Sequence, residues 1–254
     1  MPFEAYGVRL LVSTDSPEVY ERLPAILPPG AIACSAEHTH HRLALDVRPG
    51  GAFGLSVDDS PFLEGIRLEL ALEVLQGQLH LHVATDAVDR VFVHAGVVGL
   101  GERAVVIPGG SFAGKTTLVA EFVRGGAVYY SDEFAVLDDR GLVHPYPKPL
   151  SLRGEDQQQV DHSVASLGGA EGDRPLPVGT ILVSAYRPGA EWCPTTLSEG
   201  QGVLAMLANS VAARSKPAEV LRSITQAVEG ATLLEGDRGE ASSVVSELLA
   251  GVSA

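Results

Sequence analysis

Cysteine is nearly missing from this chain: Cys34 and Cys193 are the only two in 254 residues, far apart and at no metal or redox spacing. That argues against a disulfide framework or a zinc site and fits a reducing compartment. Lysine is almost as scarce, with Lys115, Lys148 and Lys216 alone, and the net charge is -14. A chain this acidic lacks the clustered cations that draw proteins to nucleic acid or anionic membranes. Long hydrophobic runs are missing too. No stretch approaches the roughly 18 apolar residues of a membrane span, and the first residues carry no basic, then apolar, leader pattern. The expectation is a cytoplasmic protein with neither nucleic acid nor membrane as partner, compatible with a homo-oligomer.

What is present suffices for a core. With 45% apolar residues, a chain of this length buries on the order of 70 to 75% of its unfolded surface. VRLLVST (8 to 14) reads as a strand, followed by a helix from Ser16 to about Leu27. HRLALDV (41 to 47) and AFGLSVD (52 to 58) read as a hairpin. Between Pro61 and Ala84, apolar residues from Leu63 to Val83 recur at three and four residue steps, which predicts one long amphipathic helix. Residues 1 to 86 thus form an expected N-terminal α+β portion.

From residue 87 the pattern changes. RVFVHAGVVGLGERAVVIPGG (90 to 110) reads as a strand pair, Lys115 to Arg124 as a helix, and AVYYSDEFAVLD (127 to 138) as one strand region. GEDQQQVDHSVASLGGAEGDRP (154 to 175) reads as a polar surface loop, and the region 140 to 175 is expected to touch the acceptor. TILVSAYRPG (180 to 189) predicts a strand, and 199 to 213, 217 to 230 and 242 to 252 predict helices. Strand, loop, helix, strand is a βαβ-like unit, so the expected class is α/β: a mixed central sheet with flanking helices.

Gly109, four residues, then Gly114, Lys115 and Thr116 satisfy G-x-x-x-x-G-K-[ST] between a β-branched run and an apolar helix. A chance match in such a chain is on the order of one in a hundred. Gly109, Gly110, Ser111, Phe112, Ala113, Gly114, Lys115, Thr116 and Thr117 would line a nucleotide's phosphates. Backbone N-H groups and the helix's positive end favour the anion there. Lys115 would bridge the terminal phosphates and the Thr116 hydroxyl would take a magnesium position. Asp132 and Glu133, at the end of the next apolar run, are the acidic element such a site needs; adjacent residues on a strand face opposite ways unless the strand has ended.

His94-Ala-Gly-Val-Val, the loop at 109 to 116, Arg-Gly-Gly-Ala-Val-Tyr-Tyr-Ser-Asp-Glu (124 to 133) and Leu-Ser-Leu-Arg-Gly (150 to 154) together resemble the kinase domain of HPr kinase/phosphorylase over roughly 60 residues. The resemblance implies a P-loop kinase of the phosphoenolpyruvate-carboxykinase-like fold over residues 87 to 254. It also implies ATP or another nucleoside triphosphate with Mg2+, and phosphoryl transfer to a hydroxyl, serine by analogy, of a peptide, protein or small molecule. Position by position it gives His94 as an active-site histidine, Lys115 and Thr116 as phosphate and metal residues, Asp132 and Glu133 as the pair holding the base and a metal ligand, and Arg153 as a site arginine. Two departures stand out: Glu133 replaces an Asp, and Ser151 replaces a Glu that Glu155 could stand in for. The first 85 residues do not share the likeness, so neither the phosphorylase reaction nor HPr as substrate is implied.

Two other functions compete: a nucleotide-binding module without transfer, favoured less by the acidic pair, and an ATP hydrolase, for which no further motif is present. Arg187 is a second arginine that could meet the transferred group. His38, His40 and His41 form a weak metal pattern, His80 and His82 are expected at a helix rim, and Trp192 is expected over the core.

Overall fold

The computed structural model describes residues 1–110, 114–153 and 159–252. The chain divides into two compact units, Met1–Asp89 and Arg90–Ala254. Its class is mixed α/β.

The first unit holds a sheet in the order β3-β1-β2-β4-β5-β6, with β1 Pro2–Ala5, β2 Val8–Ser13, β3 Ile32–Ala33, β4 His41–Val47, β5 Phe53–Val57 and β6 Ser60–Ile66. Only β2 and β4 pair in parallel. Helix α1 (Pro17–Ile26) starts where the Ser16 side chain accepts from the Val19 N-H, with proline in the first turn. Helix α2 (Leu68–Asp86) buries Leu72, Leu75, Leu79 and Val83. The long helix expected from Pro61 therefore starts late. Residues 60 to 66 are a strand because Asp58 and Asp59, at φ 48° and 61°, form the tight positive-φ turn that matches strand twist, returning the chain beside β5 with Leu63 opposite Leu55. Gly65 at φ +71° could not continue a helix. His80, expected at the rim, is buried at 2% exposure.

The second unit is a sheet in the order β11-β10-β7-β8-β14-β16-β15, with β9 also on β7. Its strands are β7 Val91–Leu100, β8 Arg103–Pro108, β9 Val128–Ser131, β10 Phe134–Leu137, β11 Val143–His144, β14 Val178–Tyr186, β15 Thr195–Thr196 and β16 Thr232–Arg238. A separate pair joins β12 Leu150–Arg153 to β13 Gln159–His162. The β8, β14 and β16 strands run parallel, and β7 and β8 form a hairpin. Alternation sorts the side chains onto two faces. Val97 and Val106 pack towards α4 (Glu199–Ala208) and α5 (Pro217–Val228). Val98, Val105 and Ile107 pack towards α3 (Lys115–Arg124) and α6 (Ala241–Val252), forming a three-layer unit. Trp192 joins this second core.

Three expectations change here. The region 127 to 138 is two strands, β9 and β10, both paired with β7 and separated at Asp132 and Glu133. Residues 159 to 175 are not a detached surface loop. They include β13, a 3-10 turn at Val164–Leu167 and a buried Val164, and Ala170 accepts from the Tyr129 N-H. Residues 154 to 158 lie outside the described residues. Helix α4 ends at Ala208 rather than 213, because the following backbone turns to bond β7: His94 N-H donates to the Asn209 carbonyl and Val211 N-H to Phe92. Among the described residues no helix is long and apolar enough to cross a membrane.

Candidate functional site

Strand β8 carries its chain out of the sheet at Pro108 and α3 carries it back from Lys115. Gly114 caps α3 in the left-handed region (φ 75°, ψ 21°), a conformation that costs a residue with a Cβ. At the other end of the turn, the Gly109 N-H donates to the His94 carbonyl at 3.0 Å, tying it to β7. Gly110 is exposed, while Ser111, Phe112 and Ala113 lie outside the described residues. Thr117 is in the first turn of α3 and exposed.

Lys115 folds back over the turn, its Nζ donating to the Gly110 carbonyl at 2.7 Å. Burial lowers its pKa, and Asp132 and Glu133 oppose that shift, so both carboxylates act on the ammonium. One residue on, the Thr116 hydroxyl donates to Asp132 Oδ2 at 3.1 Å. The loop-helix junction and the break between β9 and β10 thus meet, though sixteen residues separate the two side chains.

The break has a local cause. Ser131 Oγ accepts from the Glu133 N-H at 3.1 Å and the Phe134 N-H at 2.9 Å, a side-chain turn that competes with the ladder. Ala95 N-H donates to the Glu133 carbonyl, so the bend stays on β7. Freed from strand alternation, both acidic side chains serve one neighbourhood. Asp132, only 5% exposed, also receives the Tyr129 hydroxyl, 3.1 Å from Oδ1 and 2.9 Å from the Lys148 carbonyl. Burial, reinforced by Asp132, pushes the Tyr129 phenol far above its ordinary range, so it is a fixed donor. Lys148 Nζ lies 3.5 Å from Asp132 Oδ1 and 3.6 Å from Glu133 Oε2. Its ammonium spans the pair, a neutralising role that buried Asp132 needs.

His94 lies opposite Phe134 on the paired strands, with the two rings 4.7 Å apart. Burial lowers its pKa; Glu133 raises it and Lys115 lowers it further, which favours a neutral imidazole at pH 7.

His94, Lys115, Thr116, Asp132 and Glu133 therefore form one neighbourhood. Arg153 is in β12, opposite Gln159; Arg187 instead pairs with Asp237 at 3.0 Å on the surface. Ser151 is in β12 and Glu155 lies outside the described residues. The histidine pattern of the first unit divides: His40 Nδ1 accepts from the Arg9 N-H, while His41 joins Asp58 and Asp86. Among the described residues no group of three or more His, Cys, Asp or Glu side chains could hold a metal ion.

Sequence reasoning missed Tyr129, Lys148 and Arg238. The lysine had a signal, being one of only three. Arg238 had none, since TLLEGDR (232 to 238) carries too many polar residues to read as an inner strand. No family model matches this chain, and no curated protein matches it.

Proposed function

We propose that this protein is a magnesium-dependent phosphotransferase of the P-loop kinase type, moving the γ-phosphoryl group of ATP or another nucleoside triphosphate to a hydroxyl. The observation that carries this reading is the 3.1 Å contact between the Thr116 hydroxyl, one residue beyond Lys115 at the start of α3, and the Asp132 carboxylate. Magnesium takes oxygen ligands at about 2.0–2.1 Å in an octahedron, so two adjacent ligand oxygens sit roughly 3 Å apart. Thr116 and Asp132 have that spacing, and magnesium commonly takes only one or two protein carboxylates, with phosphates and water filling the rest. They would hold the ion, which on binding supplies charge neutralisation across the phosphates.

The remaining residues divide the work. Lys115 exchanges its Gly110 carbonyl for phosphate oxygens, a trade that favours the charged partner. Backbone N-H groups at the start of α3 take further phosphate oxygens. The acceptor oxygen attacks the γ-phosphorus, the bond to the β-phosphate oxygen breaks, and the hydroxyl proton passes to the Asp132–Glu133 pair. Lys148 and Tyr129 fix Asp132 for that task. His94, neutral, lines the same neighbourhood beside Glu133. The resemblance of residues 94 to 154 to the HPr kinase/phosphorylase kinase domain adds support and suggests a serine on a peptide or protein as acceptor, in the cytoplasm.

The test is incubation with γ-labelled ATP, magnesium and candidate serine peptides or proteins, followed by mass spectrometry. A phosphate adduct that disappears with Lys115→Ala supports transfer. Full transfer by Lys115→Ala overturns the reading. Phosphate release without an adduct would make the protein a hydrolase, and binding without either product a nucleotide-binding module.

A further inference from the structure

Arg238 ends β16 and is 2% exposed, yet among the described residues no carboxylate pairs with it directly; exposed Glu240 acts on it only from beyond ion-pair distance. Of the two nearest carboxylates in sequence, Asp237 pairs with Arg187, and Glu240, whose Oε1 accepts from the Tyr186 hydroxyl at 3.4 Å, favours the charged guanidinium without touching it. The guanidinium instead donates to two carbonyls, Nη1 to Gly239 at 3.2 Å and Nη2 to Gly114 at 3.1 Å, while its buried Nε finds no partner. The Tyr186 ring lies 5.5 Å away and softens, without cancelling, the charge.

The address of this charge is specific. A Cβ on Gly114 would meet Nη2 of Arg238, so the arginine occupies the space that a side chain at this position would take. Gly114 is glycine for its left-handed φ, and the guanidinium end fills the space beside it. A buried cation whose counter-charge is distant and exposed is costly in a folded protein, and a ligand anion beside it would offset that cost.

We infer that Arg238 is a second cation of the phosphate site, held against Gly114 and more closely balanced when an oligophosphate occupies the loop. This inference rests on the phosphotransfer reading and adds to it a residue from the far end of the chain. Arg238 acts as a positioning residue, through its field and through Gly114, with no direct phosphate contact required. The Gly114 carbonyl also accepts from the Leu118 N-H at 3.2 Å, so removing the arginine does not leave that oxygen unpaired.

The experiment titrates MgATP and, separately, inorganic tripolyphosphate into the full chain, with Kd and the melting temperature read for wild type, Arg238→Met and Arg238→Lys. Wild type binds both probes. Arg238→Met is expected to weaken both at least tenfold while the ligand-free melting temperature stays within about 3 °C of wild type or rises. Arg238→Lys, keeping charge without the fork, should stay within about threefold of wild type. Wild-type affinity in Arg238→Met overturns the inference and leaves the phosphotransfer reading intact. So does a Lys variant as weak as the Met variant, or a Met variant whose ligand-free stability falls in step with its affinity. Wild-type protein that binds neither probe overturns both readings together.

Discussion

The first unit and the turn before α3 treat charge in opposite ways. In the first, cations close onto carboxylates as pairs: Arg9 with Glu4, Arg22 with Glu69, Arg48 with Glu64, and His41 between Asp58 and Asp86 at 2.9 and 2.7 Å. In the second, around the turn before α3, Lys115 rests on a backbone carbonyl, Arg238 on two, and Lys148 spans two carboxylates at 3.5 and 3.6 Å. Closed pairs are complete without a ligand. The arrangement around Lys115 is one that further oxygens would complete, which is why charge balance separates a surface from a candidate site here.

The strongest way to break this contrast is at Asp132. Asp132→Asn keeps the shape but removes the charge that Thr116, Tyr129 and Lys148 converge on, and should cost transfer about 10² to 10³-fold. Steady-state kinetics with labelled ATP checks it, and a loss under threefold would put the acidic pair outside the chemistry. Next comes Tyr129→Phe, which removes one donor from Asp132. A drop of about tenfold in transfer is expected, with a stability loss of about 1 kcal/mol by denaturant melt.

The histidines sharpen the comparison by pH. Burial lowers the His41 pKa, but hydrogen bonds to Asp58 and Asp86 outweigh it and the net shift is upward from 6.5. Its stabilisation is therefore full below about pH 6.5 and lost as pH rises through the raised folded value. His94 is shifted down by burial, so the unfolded chain takes up the proton first and stability is lost as pH falls through about 6.5. Between pH 8 and 5.5, amide exchange at Leu43 and Leu45 of β4 should slow relative to that at Val93 and Ala95 of β7. His41→Gln and His94→Gln should each flatten the trend in its own unit. The smallest effect belongs to Arg22→Ala, whose pair with Glu69 is solvent-exposed on both sides and should move the melting temperature by less than about 2 °C.

The α3 helix was legible because its ends are chemical: a glycine that tolerates positive φ before Lys115 and two glycines after Arg124. The β7–β8 hairpin was legible from β-branched runs split at Gly101. Residues 60 to 66 were not, since Leu63, Ile66 and Leu70 fit helical spacing equally well and only pairing with β5 decides. The same limit hid Tyr129, Lys148 and Arg238. Lys148 and Arg238 reach Asp132 and Gly114 across the fold, Arg238 from 124 residues away, and Tyr129, though only three residues from Asp132, turns to it only because the strand breaks there. The break at Asp132 and Glu133 depends on Ser131, an ordinary strand residue until its hydroxyl turns to the backbone.

Lys115 and Lys148 also make the molecule chemically addressable. Apart from the N-terminal amine, only one other lysine, Lys216, offers a primary amine, so acylating reagents meet few targets. Burial depresses the Lys115 pKa and leaves more of it as the nucleophilic free amine at neutral pH. A mass-spectrometric footprint of three lysines, taken with and without a candidate ligand, would report occupancy of this one neighbourhood with Lys216 as internal reference.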